Sequence, residues 1–469
     1  MTSHSTALLW AAFALAFVQP TTFSSRASRP TAAVPVPDDS VVQRLVRQRI
    51  DLGLNAGLVV GIIDPTGRQH VYAVGRSRGP DSPLVDANTV FEIGSITKTF
   101  TASLLADMVR RGEVALDDPV VKFLPPDARL KANGRDITLL DLATQSSGLP
   151  GMPANFHPTS PEDPYADYGA PQLYQFLAGY APPRAPGVQY DYSNLAVGLL
   201  GLVLSRRAGT TYEALLDQRL FTPLGMADTR ITLTPDMRRH LAAGHNRDGD
   251  EVANWNFDAL AGAGAIRSTM NDMLKYLAAN LDSNSRPLGR VLQSAHLTRR
   301  AAGTPNMTIG LNWHVLHLDS SEVVWHNGET AGYHSFIGFD PARRTGVVIL
   351  SNSATSIDDL GFHLVNDRSP LHLPPAPPAE VAQDTALIDR YVGGYSLAPS
   401  VVVAITRTGT KLYVRLTGQQ RFRMFPTSDS TYRLTAVDAQ FEFHRGQSGH
   451  ATEVVLHQGG RDMPATRIP

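Results

Sequence analysis

Apolar and polar positions along the chain alternate with two distinct periods, and the switches between them divide it into elements. Val41 to Leu52 has the spacing of an amphipathic helix. Gly57 to Ile63 is a continuous apolar run, Asp64 to Gly67 has turn chemistry, and His70 to Gly75 is apolar again, which predicts a β-hairpin. Ile96, Phe100, Leu104 and Met108 then recur every four residues, with Gly112 placed to stop the helix. A mainly helical middle follows, with long Pro- and Gly-rich loops over 148–187 and an apolar helix from Leu195 to Leu204. Trp325 to Gly328, Ser335 to Asp340 and Gly346 to Asn352 read as a three-stranded meander, with turns at Glu329–Gly332 and Pro341–Thr345.

After Pro370 to Pro378, a stiff proline-rich break, the pattern changes to short alternating runs: Val401–Thr406, Lys411–Thr417, Arg421–Pro426, Thr431–Thr435, Gln440–Arg445 and Glu453–His457. That many short strands predict a small antiparallel barrel or strongly curved sheet. The expected division is a signal peptide over about 1–27, a catalytic domain over 40–365, a linker over 366–384 and an all-β barrel over 385–469. The signal peptide rests on the twelve-residue apolar run from Ala7 to Val18, too short to span a bilayer and preceded by no lysine or arginine. Residues 19–39, rich in Ser, Thr, Ala and Pro, are expected to be disordered or removed.

Composition narrows the function. A net charge of −1 over 469 residues, without blocks of like charge, gives no electrostatic case for nucleic acid or an anionic membrane. Cysteine is absent, which excludes disulfides, thiolate metal sites and a lipoprotein anchor. Fifteen histidines include no His-Glu-x-x-His, and Asn246 to Asp250 reads as a turn, lacking the closing glutamate of a calcium loop. No metal or other cofactor is expected.

Three short motifs carry chemistry. Ser95 and Lys98 lie three apart at the start of a helix, so one face presents both, in a chain with five lysines against thirty-seven arginines. A neighbouring amine that takes its proton makes a serine hydroxyl a useful nucleophile. Tyr192 and Asn194 would place a phenol and an amide on one short loop after a Pro-Gly turn, the phenol to shuttle a proton and the amide to fix a carbonyl. His326, Asn327 and Gly328 end a strand; the glycine lets a substrate lie close, and the backbone amide of Glu329 is placed to donate to an oxyanion. Singly, the second and third motifs are common turns. The ordered set of three is specific.

With these motifs, and with the segments Ile137–Pro150, Pro223–Thr229 and Ala265–Asp272, the chain resembles the penicillin-binding-protein and class C β-lactamase family of active-site serine hydrolases over about residues 40 to 355. Asp389 to Tyr395 resembles the start of the lipocalin-like domain appended to many members. The resemblance implies an α+β fold, an antiparallel sheet flanked by helices plus a helical subdomain with Ser95 between them, and loops 148–187 as the rim of the site. It implies two-step acyl transfer: Ser95 as nucleophile, Lys98 or Tyr192 as base, Tyr192 relaying a proton to the leaving group, and Asn194 orienting the substrate. The amides of Ser95 and Glu329 would hold the oxyanion, and His326 would support Tyr192 or a substrate carboxylate.

The chain departs from the family pattern in two places. His326 replaces the lysine of many β-lactamases, a form more usual among peptidases, D-amino-acid amidases and esterases, which puts efficient penicillin hydrolysis in doubt. Gln145 stands where the family commonly has histidine. The expected function is therefore a β-lactamase-related peptidase or amidase; the alternatives are a carboxylesterase and an inactive binder of peptidoglycan or peptide. The expected partner is a peptidoglycan-like peptide, β-lactam or ester, met by an exported, periplasmic or secreted protein with no membrane span in its mature chain. The barrel is expected to be structural or to shape access.

Overall fold

The computed structural model describes residues 38–468 apart from 80, 129, 283–286, 319–320, 374–382, 400, 418–420 and 436. The expected signal peptide and the middle of the expected linker therefore lie outside the described residues. Among the described residues no helix is long and apolar enough to cross a membrane.

The central element is an antiparallel eight-stranded sheet, ordered in space Gln69–Gly75, Gly57–Ile63, Thr345–Ser351, His334–Asp340, Ser321–Glu329, His314–Leu318, Thr304–Ile309 and Arg300–Ala302. The expected hairpin and meander are both present. They join through Leu58 opposite Ser351 and Ile63 opposite Gly346. Gly57–Ile63 is buried along its whole length because both faces of the sheet are covered. Leu58, Val60 and Ile62 pack with Val42 and Val46 of the Asp39–Asp51 helix and Leu360 and Leu364 of the Asp358–Val365 helix. Val59 and Ile63 face the other way, into the main core with Met270, Leu274 and Leu277 of the Met270–Leu281 helix.

Two features go beyond what the sequence pattern announces. The pattern of Ile96 to Met108 predicts one apolar face, yet in the Thr97–Arg110 helix every residue from Thr97 to Met108 is buried. Its polar positions are covered because they have partners: Thr101 Oγ1 meets Tyr212 Oη at 2.6 Å and Gly262 O at 2.7 Å, and Ser103 Oγ donates to Thr99 O at 2.8 Å. Asp107 is held by Arg110 and Arg111 at 2.9 and 2.7 Å. The sheet also has three strands that apolar alternation does not announce, Arg300–Ala302, Thr304–Ile309 and His314–Leu318. They form its far edge, where Pro305 and Asn306 are exposed.

The C-terminal segment is a closed eight-stranded barrel, Gly393–Ala398 through Arg461–Arg467. The six expected strands are joined by two more, Gly393–Ala398 and Arg461–Arg467, which close it through Tyr395 opposite Arg467 and Ser396 opposite Thr466. Their sequences hide them: one opens on two glycines and the other carries Pro464 among charged residues. Tyr391, Tyr395, Tyr432, Phe441 and Phe443 pack together in the barrel's core.

Phe100 anchors the central helix, fully buried, stacked on Tyr276 at 3.9 Å and edge-on to Phe221 at 5.8 Å. Phe100→Ala should destabilise the fold by about 3–5 kcal/mol; thermal melting monitored by near-ultraviolet circular dichroism, with an unchanged melting point as the contrary result, checks this.

Candidate functional site

Phe91–Glu92 runs beside Arg267–Ser268 and leads into a tight turn at Gly94–Ile96, from which the Thr97–Arg110 helix departs. Gly94 has φ +48°, a left-handed conformation that suits glycine. The turn is pressed against the end of the Ser321–Glu329 strand. A Cβ on Gly94 would lie 2.8 Å from Glu329 N, and one on Gly328 would lie 2.1 Å from Ile93 O and 2.9 Å from Ser95 N. Ser335 Oγ closes the junction by donating to Ile93 O at 2.8 Å. The absence of two side chains thus brings Ser95 to the strand.

Ser95 is half-buried and Lys98 fully buried. Lys98 Nζ donates to Ser95 Oγ at 2.8 Å and to Ala263 O at 2.7 Å, and lies 4.9 Å from the centre of the Tyr192 ring. No carboxylate pairs with it among the described residues. Burial therefore pushes its pKa well below the usual lysine range and favours the neutral amine. The Tyr192 phenol hydrogen-bonds Ser95, and burial raises its pKa, so it stays protonated.

The Tyr192 loop is gripped by the Ala143–Pro150 segment. Gln145 O accepts from Asp191 N, and Gln145 Oε1 accepts from Ser193 N, both at 2.7 Å. Gln145 Nε2 donates to Asn312 Oδ1 at 3.0 Å, and Gln145 itself has φ +55°. Beneath lies buried Asp141, bonded at 2.8 Å by both Arg135 and Arg300, with Arg135 also reaching Pro186 O at 3.0 Å. Ser193 caps the Asn194–Ala208 helix by accepting from Ala196 N at 2.9 Å. Asn194, half-buried, opens that helix, and its amide makes no hydrogen bond among the described residues.

His326, Asn327, Gly328 and Glu329 follow one another along the strand, so their side chains alternate between faces. His326 is buried, 6.4 Å from Tyr192 and 5.2 Å from His314 between ring centres. Its Nδ1 meets Asn327 O at 2.6 Å; a carbonyl only accepts, so Nδ1 carries the proton and Nε2 is an acceptor, with no partner among the described residues. Burial, then His314 and Lys98, push its pKa well down, so the ring is neutral at pH 7. The Asn327 side chain points to the opposite face and donates to Asp358 Oδ2 at 2.7 Å. The Glu329 carboxylate turns outward to Arg247 at 3.0 Å. Asn327 and Glu329 therefore offer the site only their backbone.

Ser95, Lys98, Tyr192, His326 and Gly328 are brought together by the fold. Gln145, Asp141, Arg135, Arg300 and His314 are the supporting residues that motif reading misses; only Gln145 left a trace, as a departure from the family pattern. His314 is held by Tyr190, whose hydroxyl lies 2.9 Å from His314 Nε2. Among the described residues no group of three or more His, Asp or Glu is arranged to hold a metal ion.

A model of a beta-lactamase family matches residues 42–369, and one of a domain of unknown function, DUF3471, matches residues 377–467. The chain is 29% identical over 360 residues to a beta-lactamase of Escherichia coli K12, covering 70% of this chain and 92% of that one. It is 28% identical to the D-alanyl-D-alanine-carboxypeptidase/endopeptidase AmpH of the same organism, covering 73% and 94%. A solved class C beta-lactamase superposes with a TM-score of 0.62 at 25% identity, over 70% of this chain and 96% of that one. With the family model spanning the sheet, the helical subdomain and the Ser95 site together, the chain belongs to the beta-lactamase family, on the serine-hydrolase scaffold shared by class C β-lactamases and D-alanyl-D-alanine carboxypeptidases.

Proposed function

We propose that this protein is a serine hydrolase that forms an acyl-enzyme at Ser95, acting as a peptidase or amidase on substrates of the penicillin-binding-protein type. The observation that carries the reading is the buried Lys98 amine, 2.8 Å from Ser95 Oγ and without a carboxylate partner among the described residues. Desolvation makes a proton acceptor of a group that would otherwise be charged.

In this reading Ser95 Oγ attacks the substrate carbonyl carbon while its proton passes to Lys98, directly or relayed through the Tyr192 hydroxyl. These groups share one hydrogen-bonded cluster, so the base belongs to the cluster rather than to one residue. The oxyanion is held by the backbone amides of Ser95 and Glu329, which Gly94 and Gly328 bring close. Tyr192 then donates a proton to the leaving nitrogen or oxygen as its bond to the carbonyl carbon breaks, and Asn194 orients the substrate. A solvent water attacks the ester carbonyl, releases the acid and returns the proton to Ser95. His326 supports Tyr192 by packing beside it, 6.4 Å between ring centres, with Nε2 left as an acceptor that has no partner among the described residues. Neutral and protonated only at Nδ1, it offers nothing to a substrate carboxylate, and for that reason a carboxylesterase remains the second reading.

The division into a catalytic domain at 40–365, a linker at 366–384 and a barrel at 385–469 is part of the proposal, supported by the change to short strands after residue 393. Export to the periplasm or beyond is proposed from the Ala7–Val18 run.

Ser95→Ala should retain the fold and lower turnover by several orders of magnitude. Mass spectrometry after exposure to a penicillin, a D-amino-acid amide, a short acyl ester or a fluorophosphonate should find a single adduct, on Ser95. An adduct on another serine overturns the site, and the relative rates of the acyl donors separate amidase from esterase.

The acylation rate should fall as pH drops through the lowered pKa of Lys98, because protonation removes the acceptor, and level off above it. Lys98→Arg, which fixes the charge, should cost on the order of 10²–10⁴ in rate. A flat pH profile across the acid range, or an active Arg variant, would exclude Lys98 as the acceptor.

His326→Lys should raise kcat/KM for carboxylate-bearing β-lactams relative to neutral esters. A variant that melts normally and shows no such shift would mean that the third motif does not set charge preference.

A further inference from the structure

Among the described residues the barrel contributes no side chain to the Ser95 cluster, yet it is fastened to a segment that touches the site. That segment is the hairpin of Gly244–His245 and Glu251–Val252, whose turn Asn246 braces by accepting from Asp248 N at 3.0 Å and Asp250 N at 2.9 Å. Two aspartates of the turn face the barrel. Lys411 Nζ lies 2.6 Å from Asp250 Oδ1, Arg423 donates to Asp248 O at 2.5 Å, and Thr435 Oγ1 donates to Asp248 Oδ1 at 2.5 Å. Between the two aspartates stands Arg247, which points the other way and pairs with the Glu329 carboxylate at 3.0 Å.

The hairpin is also packed, backbone to backbone, on the turn that follows Glu329. His245 N donates to Gly332 O at 3.0 Å, and a Cβ on Gly332 would lie 2.6 Å from the Gly244 backbone. Tyr333 Oη donates to Ala242 O at 2.5 Å. A displacement of the hairpin would therefore be passed to the residue whose amide faces the Gly94–Ile96 turn.

We propose that the C-terminal barrel is a positioning element for acyl transfer: through Lys411, Arg423 and Thr435 it fixes the Asp248–Asp250 turn, and Arg247 on that turn holds Glu329, and so the Glu329 amide, in register with Ser95. The proposal rests on the reading of Ser95 as nucleophile and Glu329 N as an oxyanion donor. Arg247 is a positioning residue in this scheme. The barrel acts on the rate of the chemical step even for substrates too small to reach it, which goes beyond the shaping of access expected from sequence.

The test is a double-mutant cycle in the full-length chain with Lys411→Met, Arg247→Met and the pair, read as the rate of Ser95 labelling by a fluorophosphonate and as kcat and KM for a small neutral ester. Each single variant should lower labelling and kcat about two- to fivefold, in keeping with one exposed and one partly buried ion pair, with KM within about twofold. The double variant should be no slower than the slower single one, because both changes break the same linkage. Where Lys411→Met lowers the melting temperature, Thr435→Val, which removes only the bond to Asp248, takes its place in the cycle. Losses that multiply, or folded variants that label at the unmodified rate, would overturn the barrel's role while leaving Ser95 intact. An unmodified chain that is not labelled at Ser95 would overturn the nucleophile itself, and this proposal with it.

Discussion

The contact between the Gly94–Ile96 turn and the end of the Ser321–Glu329 strand is the constraint on which the rest of the site depends. It joins the central helix to the sheet without a side chain between them, since a Cβ on Gly328 would fall 2.1 Å from Ile93 O. Backbone against backbone leaves little room for adjustment, so the amides of Ser95 and Glu329 are set by the packing of large elements rather than by local loop geometry. That packing is extensive: the helix is buried from Thr97 to Met108, and the sheet has a core on each face. A site built on such elements is preorganised, which is what electrostatic stabilisation of a developing oxyanion requires.

The same burial sets the charge state of the site. An isolated ion taken out of water costs several kcal/mol, more than two neutral hydrogen-bond partners return. Among the described residues Lys98 hydrogen-bonds only Ser95 Oγ and Ala263 O, so burial pushes its pKa well below the usual lysine range and favours the neutral amine. His326 and His314 follow the same rule, the latter's pKa pushed down to about 4 chiefly by burial. Fixed charge lies outside this cluster, at Asp141 with Arg135 and Arg300, where it braces the Tyr192 loop.

How far the sequence reveals this depends on the range of each interaction. Ser95 with Lys98 and Tyr192 with Asn194 are legible because each pair is set within one turn of chain. The hairpin and meander are legible because buried strands must be apolar. Gln145 is different: its role comes from contacts with Ser193 and Asn312, 48 and 167 residues away, and nothing in its neighbourhood announces them. The polar edge strands and the two strands that close the barrel escape for a related reason: each places only one or two side chains, such as Tyr395 and Ala465, in a core, and glycine, proline and charged residues obscure the alternation. The side chain of Asn327 shows the opposite failure. Motif reading puts it at the site, but strand alternation gives it to Asp358.

A site without a fixed positive charge at its centre cannot select an anionic substrate by attraction alone. In the proposed reading discrimination comes from shape and from hydrogen bonds to Asn194, unengaged among the described residues, and to the Nε2 acceptor of His326. In the proposed mechanism such recognition would accept an ester or an amide at the scissile bond, because both present a carbonyl oxygen to the same amides. It is strict about distance instead, since hydrogen bonds weaken steeply with misalignment. Precision of placement is then worth more to this protein than added charge. In the proposed scheme the elements that fix the Glu329 end of the strand, including a hairpin far from Ser95 in sequence, therefore bear on chemistry they do not touch.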